Sequence, residues 1–354
     1  MLSRQLDATT LADYVSQRHI RRADGNGKIF GKVSHRMNYG LPYKGSKSRI
    51  APWVIDNLPP AETFVDLFAG GCAMTHAAML SGNYTNFIAN DIGDAPKLFQ
   101  AAINGEYANE TRWISREDFK RLKDTDTYVR LCWSFSNNQE NYLYSQEIEP
   151  WKKAVHYARV FNDRSLLAEM GINSDGSLRD IRTHHEEYKQ KYIRWWLAQQ
   201  QYTVDELVGL PRLRKSLQRL ESLQRLESLQ SLQRLQSLQS LQRLQRLQRL
   251  QRLQSDYQSV LIPDNALVYA DPPYRGTDCN GYDGFDFERF DKWLADVPFM
   301  VVISEYKCPD GCAEVACCNK VLRQTAKQKT IRQEKLFVQK RFEADYYRQM
   351  GKLW

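Results

Sequence analysis

Four short apolar runs, each stopped by glycines, a carboxylate, prolines or a polar end, constrain this 354-residue chain more than any other feature. Thr63-Phe64-Val65-Asp66-Leu67-Phe68 runs into Ala69-Gly70-Gly71, and Cys72 to Leu80 follow with helical spacing. Asn86-Phe87-Ile88-Ala89-Asn90 ends in Asp91, while Leu267-Val268-Tyr269-Ala270 and Phe299-Met300-Val301-Val302-Ile303-Ser304 come much later. Short apolar runs bounded by turn signals read as strands buried on both faces. Strands alternating with helices predict an α/β fold with a mostly parallel sheet covered on both sides.

The rest of the composition narrows the class. A hydrophobic content of 42% with 19 Tyr, 14 Phe and 8 Trp supplies a large core and excludes a small stapled scaffold. No run reaches the roughly 18 apolar residues of a membrane span, and Met-Leu-Ser-Arg-Gln-Leu lacks the apolar stretch of a signal peptide, so the expected location is the cytoplasm with no membrane partner. Seven cysteines, an odd number, read as reduced thiols. Lys and Arg total 50 against 42 Asp and Glu, a net charge of +8 compatible with a nucleic-acid partner.

The chain divides into segments of different character. Residues 1–36 carry Arg18, Arg21, Arg22, Lys28, Lys32 and Arg36 against few acids, and read as a basic extension, either a solvated tail or an arm touching DNA. Residues 37–103 and 257–354 hold the strand runs. Between them, residues 104–215 form a second lobe rich in Trp, Tyr, Arg and Lys, with the polar-aromatic run Trp133-Ser134-Phe135-Ser136-Asn137-Asn138. Residues 216–254 are a low-complexity repeat in which every third residue from Leu217 to Leu253 is leucine. Three residues advance an α-helix by about 300°, so such a stripe slips about 60° per step and keeps no fixed apolar side. The expectation is a tolerated spacer whose shortening is mild, or, through its arginines, a contact with DNA phosphates.

Asp271-Pro272-Pro273-Tyr274 directly follows a strand run, and ligands of open parallel sheets bind at strand carboxyl ends. Two prolines fix the turn and remove two N–H donors. An acidic acceptor, bare carbonyls and an aromatic face suit a planar base bearing an exocyclic amine: Asp271 and the Pro272 carbonyl take the amine hydrogens, and Tyr274 stacks on the ring. The glycine turn after Phe64–Phe68 lets backbone approach a ligand, with Asp66 or the helix start beside it. Asp91, 20 residues past Gly71 at the end of the next strand, suits ribose hydroxyls, and the pair points to an adenosine-containing cofactor. Tyr43-Lys44-Gly45-Ser46-Lys47-Ser48-Arg49-Ile50 opens a helix through Trp53 and Ile55, and a lysine at a helix start, unfavourable to the dipole, points to an anionic ligand group, with plain surface lysines as the alternative. Cys308, Cys312, Cys317 and Cys318 lack paired knuckles and a nearby histidine, so no metal is expected.

Tyr43 to Lys47, Phe64 to Gly71, Asn90-Asp91-Ile92 and Asp271 to Tyr274, in this order, resemble the Dam-like, D12-class DNA N6-adenine methyltransferases, particularly the phage and prophage type. Val301 to Tyr306, Glu334 to Val338, and the segments Asn137-Asn138, Tyr142 to Ser145 and Glu147 to Pro150 resemble further pieces of that family. The resemblance covers about residues 40–200 and 257–345. It implies a Rossmann-like sheet that uses S-adenosylmethionine, with the inserted, mainly helical lobe reading target sequence in double-stranded DNA. It also implies a cofactor role for Tyr43, Lys47, Asp66, Phe68, Gly70 and Asp91, a catalytic role for Asp271, Pro272 and Tyr274, and a place for Asp271 near the cofactor's methionine end. Methyl transfer to N6 of a flipped adenine is the activity so implied. The same geometry serves cytosine N4, and a DNA-binding module with a degenerate cofactor site is the non-enzymatic alternative.

Overall fold

The computed structural model describes residues 38–200, 211–221, 229–247, 249–276, 284–323 and 329–351. The basic extension expected over 1–36 lies outside the described residues. Helix α1 (Ala51–Asp56) leads into β1 (Thr63–Asp66), α2 (Ala73–Ser81) and β2 (Asn86–Asn90). Then come α3 (Ala95–Ile103), α4 (Arg116–Leu122), α5 (Thr127–Cys132), α6 (Glu149–Val160), α7 (Ser165–Glu169), α8 (Leu178–Thr183), α9 (His185–Gln199), α10 (Pro211–Glu221) and α11 (Gln230–Ser240). The last part holds β3 (Leu250–Leu253), β4 (Ala266–Ala270), α12 (Phe287–Asp296), β5 (Val301–Glu305), β6 (Cys312–Arg323), β7 (Lys329–Gln339) and α13 (Glu343–Gln349).

The strands form one seven-stranded sheet in the order β3-β2-β1-β4-β5-β7-β6. Five strands run parallel, and β7 is antiparallel to both its neighbours. Alternation along each strand fills two cores. Phe64, Phe87, Leu267, Tyr269, Val302, Leu336 and Val338 face one, whereas Val65, Ile88, Val268, Ala270, Val301, Ile303 and Phe337 face the other. Both faces are thus covered, which is why these strands read as unbroken apolar runs. The first core continues through the helices between β2 and β3, including Trp133 and Trp151. Asp94 ties α3 to α5 by accepting from Thr127 and Arg130. Among the described residues no helix is long and apolar enough to cross a membrane.

The leucine repeat departs from the expectation of a spacer without a fixed apolar side. Leu229, Leu232, Leu235, Leu238, Leu241 and Leu244 are all buried in the main core, six successive members of the three-residue period. The conflict with helical geometry disappears because the segment is not one α-helix. Along α11 three leucines from Leu232 to Leu238 drift by only about 120°, close to the width of an ordinary apolar face. Before the drift grows further the chain tightens into a 3-10 helix over Leu241–Leu247, where three residues make one turn and a three-residue period stays on one line. The repeat then ends as β3, with Leu250 opposite Phe87 and Leu253 opposite Asn90. Residues 222–228 and 248 lie outside the described residues.

Polar side chains of the repeat also bind inward. Arg234 Nη1 donates to the carbonyls of Cys132 (3.0 Å) and Ser134 (2.8 Å), at the end of α5 where the helix dipole favours a cation. Burial still pulls its pKa below the ordinary arginine range. Arg243, Arg249 and Arg252 remain exposed. Leu238→Ala, at a side chain 1% exposed, is expected to cost about 2–5 kcal/mol. Gln236→Ala, on the exposed face, should fall within about 0.5 kcal/mol of wild type. Urea unfolding of the two variants checks the contrast.

Candidate active site

Strand order reverses beside β1: β2 and β3 lie to one side, β4 and β5 to the other. At such a switch point the strand carboxyl ends splay and leave a crevice. The glycine turn after β1, Asp91 after β2, Asp271 after β4 and Glu305 at the end of β5 all lie at carboxyl ends in this region.

The turn is built around Tyr43. Gly70 has φ +46°, and a Cβ there would lie 2.9 Å from the Tyr43 ring; one on Gly71 would lie 2.6 Å from Tyr43 Cβ. Only glycine admits that contact. Gly70 N–H donates to Asp91 Oδ2 (2.8 Å), and Gly93 N–H donates to Oδ1 (2.8 Å), so one carboxylate fixes both loops. The repeat supports this acid, because Asp91 N–H points to the Leu253 carbonyl (3.5 Å) and the Asn90 amide bridges the carbonyls of Leu67 (3.1 Å) and Ser255 (3.0 Å). Ile92, next in sequence, is 64% exposed. Phe68 packs on Tyr257 and Phe290.

Asp66 lies deeper, 1% exposed, and its Oδ2 accepts from Thr75 N–H (3.1 Å) and Thr75 Oγ1 (2.8 Å) in the first turn of α2. Burial pushes its carboxyl up to about 7 against the pull of those bonds. Its visible work is to fix the helix start behind the glycine turn.

At the end of β4, Lys47 Nζ lies 2.6 Å from Asp271 Oδ1 and 4.5 Å from the centre of the Tyr274 ring. The anion beside this lysine is therefore the Asp271 carboxylate, a side chain of the chain itself and not the anionic ligand group expected from the sequence. Burial alone would lower the Lys47 pKa, but Asp271 and Glu334 outweigh it and leave the ammonium above its ordinary range. The Tyr274 hydroxyl is held by Ser304 Oγ (2.9 Å) and by Glu334, and its ring meets Tyr306 edge-on at 4.5 Å. Glu305 accepts from the N–H groups of Arg275 (3.2 Å) and Tyr306 (2.7 Å), which ties the turn to β5.

The structure thus joins Lys47, Asp271 and Tyr274 in one cluster and Tyr43, Gly70 and Asp91 in another. Glu334, Ser304, Tyr306 and Ile92 carry no site role in the sequence reading. A glutamate next to a lysine near a strand start looks like an exposed polar pair, and only the β5–β7 pairing turns Glu334 inward. Ile92 follows an identified acid and is exposed, a signal available from position alone. Among the described residues no group of three or more His, Cys, Asp or Glu side chains is placed to hold a metal. Cys72, Cys132, Cys308, Cys312 and Cys317 are free thiols.

The seven-strand, mostly parallel sheet is compatible with a Rossmann-like methyltransferase fold. No curated protein matches the chain. Over residues 43–173, which include Tyr43, Lys47, the glycine turn and Asp91, the chain carries a match to the D12 class N6 adenine-specific DNA methyltransferase family, a family of enzymes.

Proposed function

We propose that this protein transfers a methyl group from S-adenosylmethionine to N6 of adenine in double-stranded DNA, in the cytoplasm, with the adenine rotated out of the duplex. The observation that carries the reading is the Asp271 carboxylate, 17% exposed, at the end of β4 beside β1, where the strand order reverses. The donor set beside it suits the cofactor. Asp91 has the chemistry to hold ribose hydroxyls, exposed Ile92 offers an apolar face to an adenine ring, and Gly70 on Tyr43 keeps side chains out of the turn. Phe68 and Asp66 support that turn from below, and Asp271 borders the methionine end.

When bound, the cofactor supplies a methyl group already activated by a sulfonium. The chain's own residues therefore have to align an amine more than to deprotonate it. Asp271 and the Pro272 carbonyl accept the two amine hydrogens and direct the nitrogen lone pair, Tyr274 lies against the base, and the proton is lost after transfer. Lys47 lies 2.6 Å from Asp271 Oδ1, so it withdraws as the amine arrives. The hairpin from Trp133 to Leu143, with Phe135 59% exposed and Ser136, Asn137 and Gln139 at positive φ, is the part of the helical lobe best shaped to meet a groove.

Single-molecule sequencing of DNA from a methylation-free host expressing the chain tests the reading, with modified adenines at one short sequence as the expected result. Asp91→Ala should weaken S-adenosylmethionine binding by about 1.5–3 kcal/mol through lost hydrogen bonds to a charged group. Unchanged affinity by calorimetry would remove Asp91 from the site.

A further inference from the structure

Lys47 stands between two carboxylates, and only one belongs to the Asp-Pro-Pro-Tyr turn. Its Nζ is 2.6 Å from Asp271 Oδ1 and 3.8 Å from Glu334 Oε1, with side-chain exposures of 5% for Lys47 and 0% for Glu334. Glu334 enters from β7, opposite Cys318 on β6, and its Oε1 accepts from Tyr274 and from Ser304 Oγ (2.9 Å). Two hydroxyl donors do not require a charge, since a neutral amide oxygen accepts them equally well. A fully buried carboxylate is unfavourable without a cation, and among the described residues Lys47 is a cation it faces.

We propose that Glu334 is a positioning residue for methyl transfer: it gives the Lys47 ammonium a second buried carboxylate, which frees Asp271 to accept the adenine amine. The proposal rests on the methyl-transfer reading. In the present arrangement the ammonium holds the acceptor the amine needs and lies over the ring the base would meet. An ammonium that left Asp271 with no other anion would be a buried, unpaired charge, a strongly unfavourable state. A shift of about 1 Å brings Nζ to a charge-assisted hydrogen bond with Glu334. Among the described residues, Tyr274 and Tyr306 are the other titratable groups facing Lys47.

Glu334→Gln isolates the charge, because the amide oxygen still serves Tyr274 and Ser304. The variant should lower kcat roughly 10- to 100-fold with the KM for DNA nearly unchanged, since misalignment acts on the bound base. Glu334→Asp, which keeps the charge, should recover part of the loss. A second arm needs no activity: the pKa of Lys47, followed by NMR of lysine labelled at the ε-carbon, should fall in Glu334→Gln by about one unit or more, as expected for loss of a nearby anion. If Glu334→Gln alone fails to fold, Lys47→Met/Glu334→Gln removes both charges together. It should then match Lys47→Met in kcat, because with the ammonium gone the Glu334 charge has no Lys47 to position, while the amide oxygen still serves Tyr274 and Ser304. Wild-type kcat in Glu334→Gln, an unchanged Lys47 pKa, or a further loss from Glu334→Gln in the Lys47→Met background would each overturn the proposal. A wild-type protein that methylates nothing would instead overturn the methyl-transfer reading, while the NMR arm still decides whether Glu334 holds Lys47.

Discussion

A chain lacking residues 229–253 is expected neither to fold nor to bind S-adenosylmethionine. Six leucines of that segment are buried in the main core, and removing one such side chain costs about 2–5 kcal/mol. Together such losses reach or exceed the roughly 5–15 kcal/mol by which a typical domain is stable. The deletion also removes β3, so β2 loses its parallel neighbour and Asp91 loses the backbone beside it. A spacer would behave differently, because shortening a loop changes closure entropy only slowly. Circular dichroism and calorimetry on the purified deletion decide between the two. A folded variant with wild-type cofactor affinity would show that the repeat is dispensable after all.

Asp271→Ala is the second large effect, an expected loss of methylation of about 10²–10⁴-fold, the range seen when an aligned polar group is removed from a reacting centre. The same change takes the nearest partner from Lys47, and an unpaired buried cation would unfold the protein. Glu334, 3.8 Å away, is placed to prevent that. The variant should therefore remain folded and still bind S-adenosylmethionine. Asp271→Asn keeps size and one acceptor oxygen while removing the charge, and it should lose most of the rate as well. A tenth of wild-type turnover in either folded variant would show that Asp271 does not align the amine.

The parts of this protein that were legible from sequence share a physical cause. β1, β2, β4 and β5 are buried on both faces, so their residues are apolar without a break. Asp91 and Asp271 close such runs, so their place at the carboxyl ends of the sheet was legible as well. The leucine repeat misled because a 60° slip per step was applied to one continuous helix. Over the described residues the chain instead divides it among two short α-helices, a 3-10 helix and an edge strand, each too brief for the slip to matter. Strand β6 was missed for a related reason: it lies at the sheet edge, paired to β7 alone, so nothing demands an apolar run. The place of Glu334 beside Lys47 was illegible because it depends on pairing across about 30 residues, which brings β7 beside Ser304 and behind Tyr274.

The central claim is that this chain methylates adenine at N6, and product analysis tests it most directly. The purified protein is incubated with methyl-labelled S-adenosylmethionine and unmethylated duplex DNA, the DNA is digested to nucleosides, and these are separated by mass. Labelled N6-methyldeoxyadenosine with wild-type protein, and none with Asp271→Ala, is the predicted result; labelled N4-methyldeoxycytidine, or no labelled nucleoside from a folded protein, would contradict it.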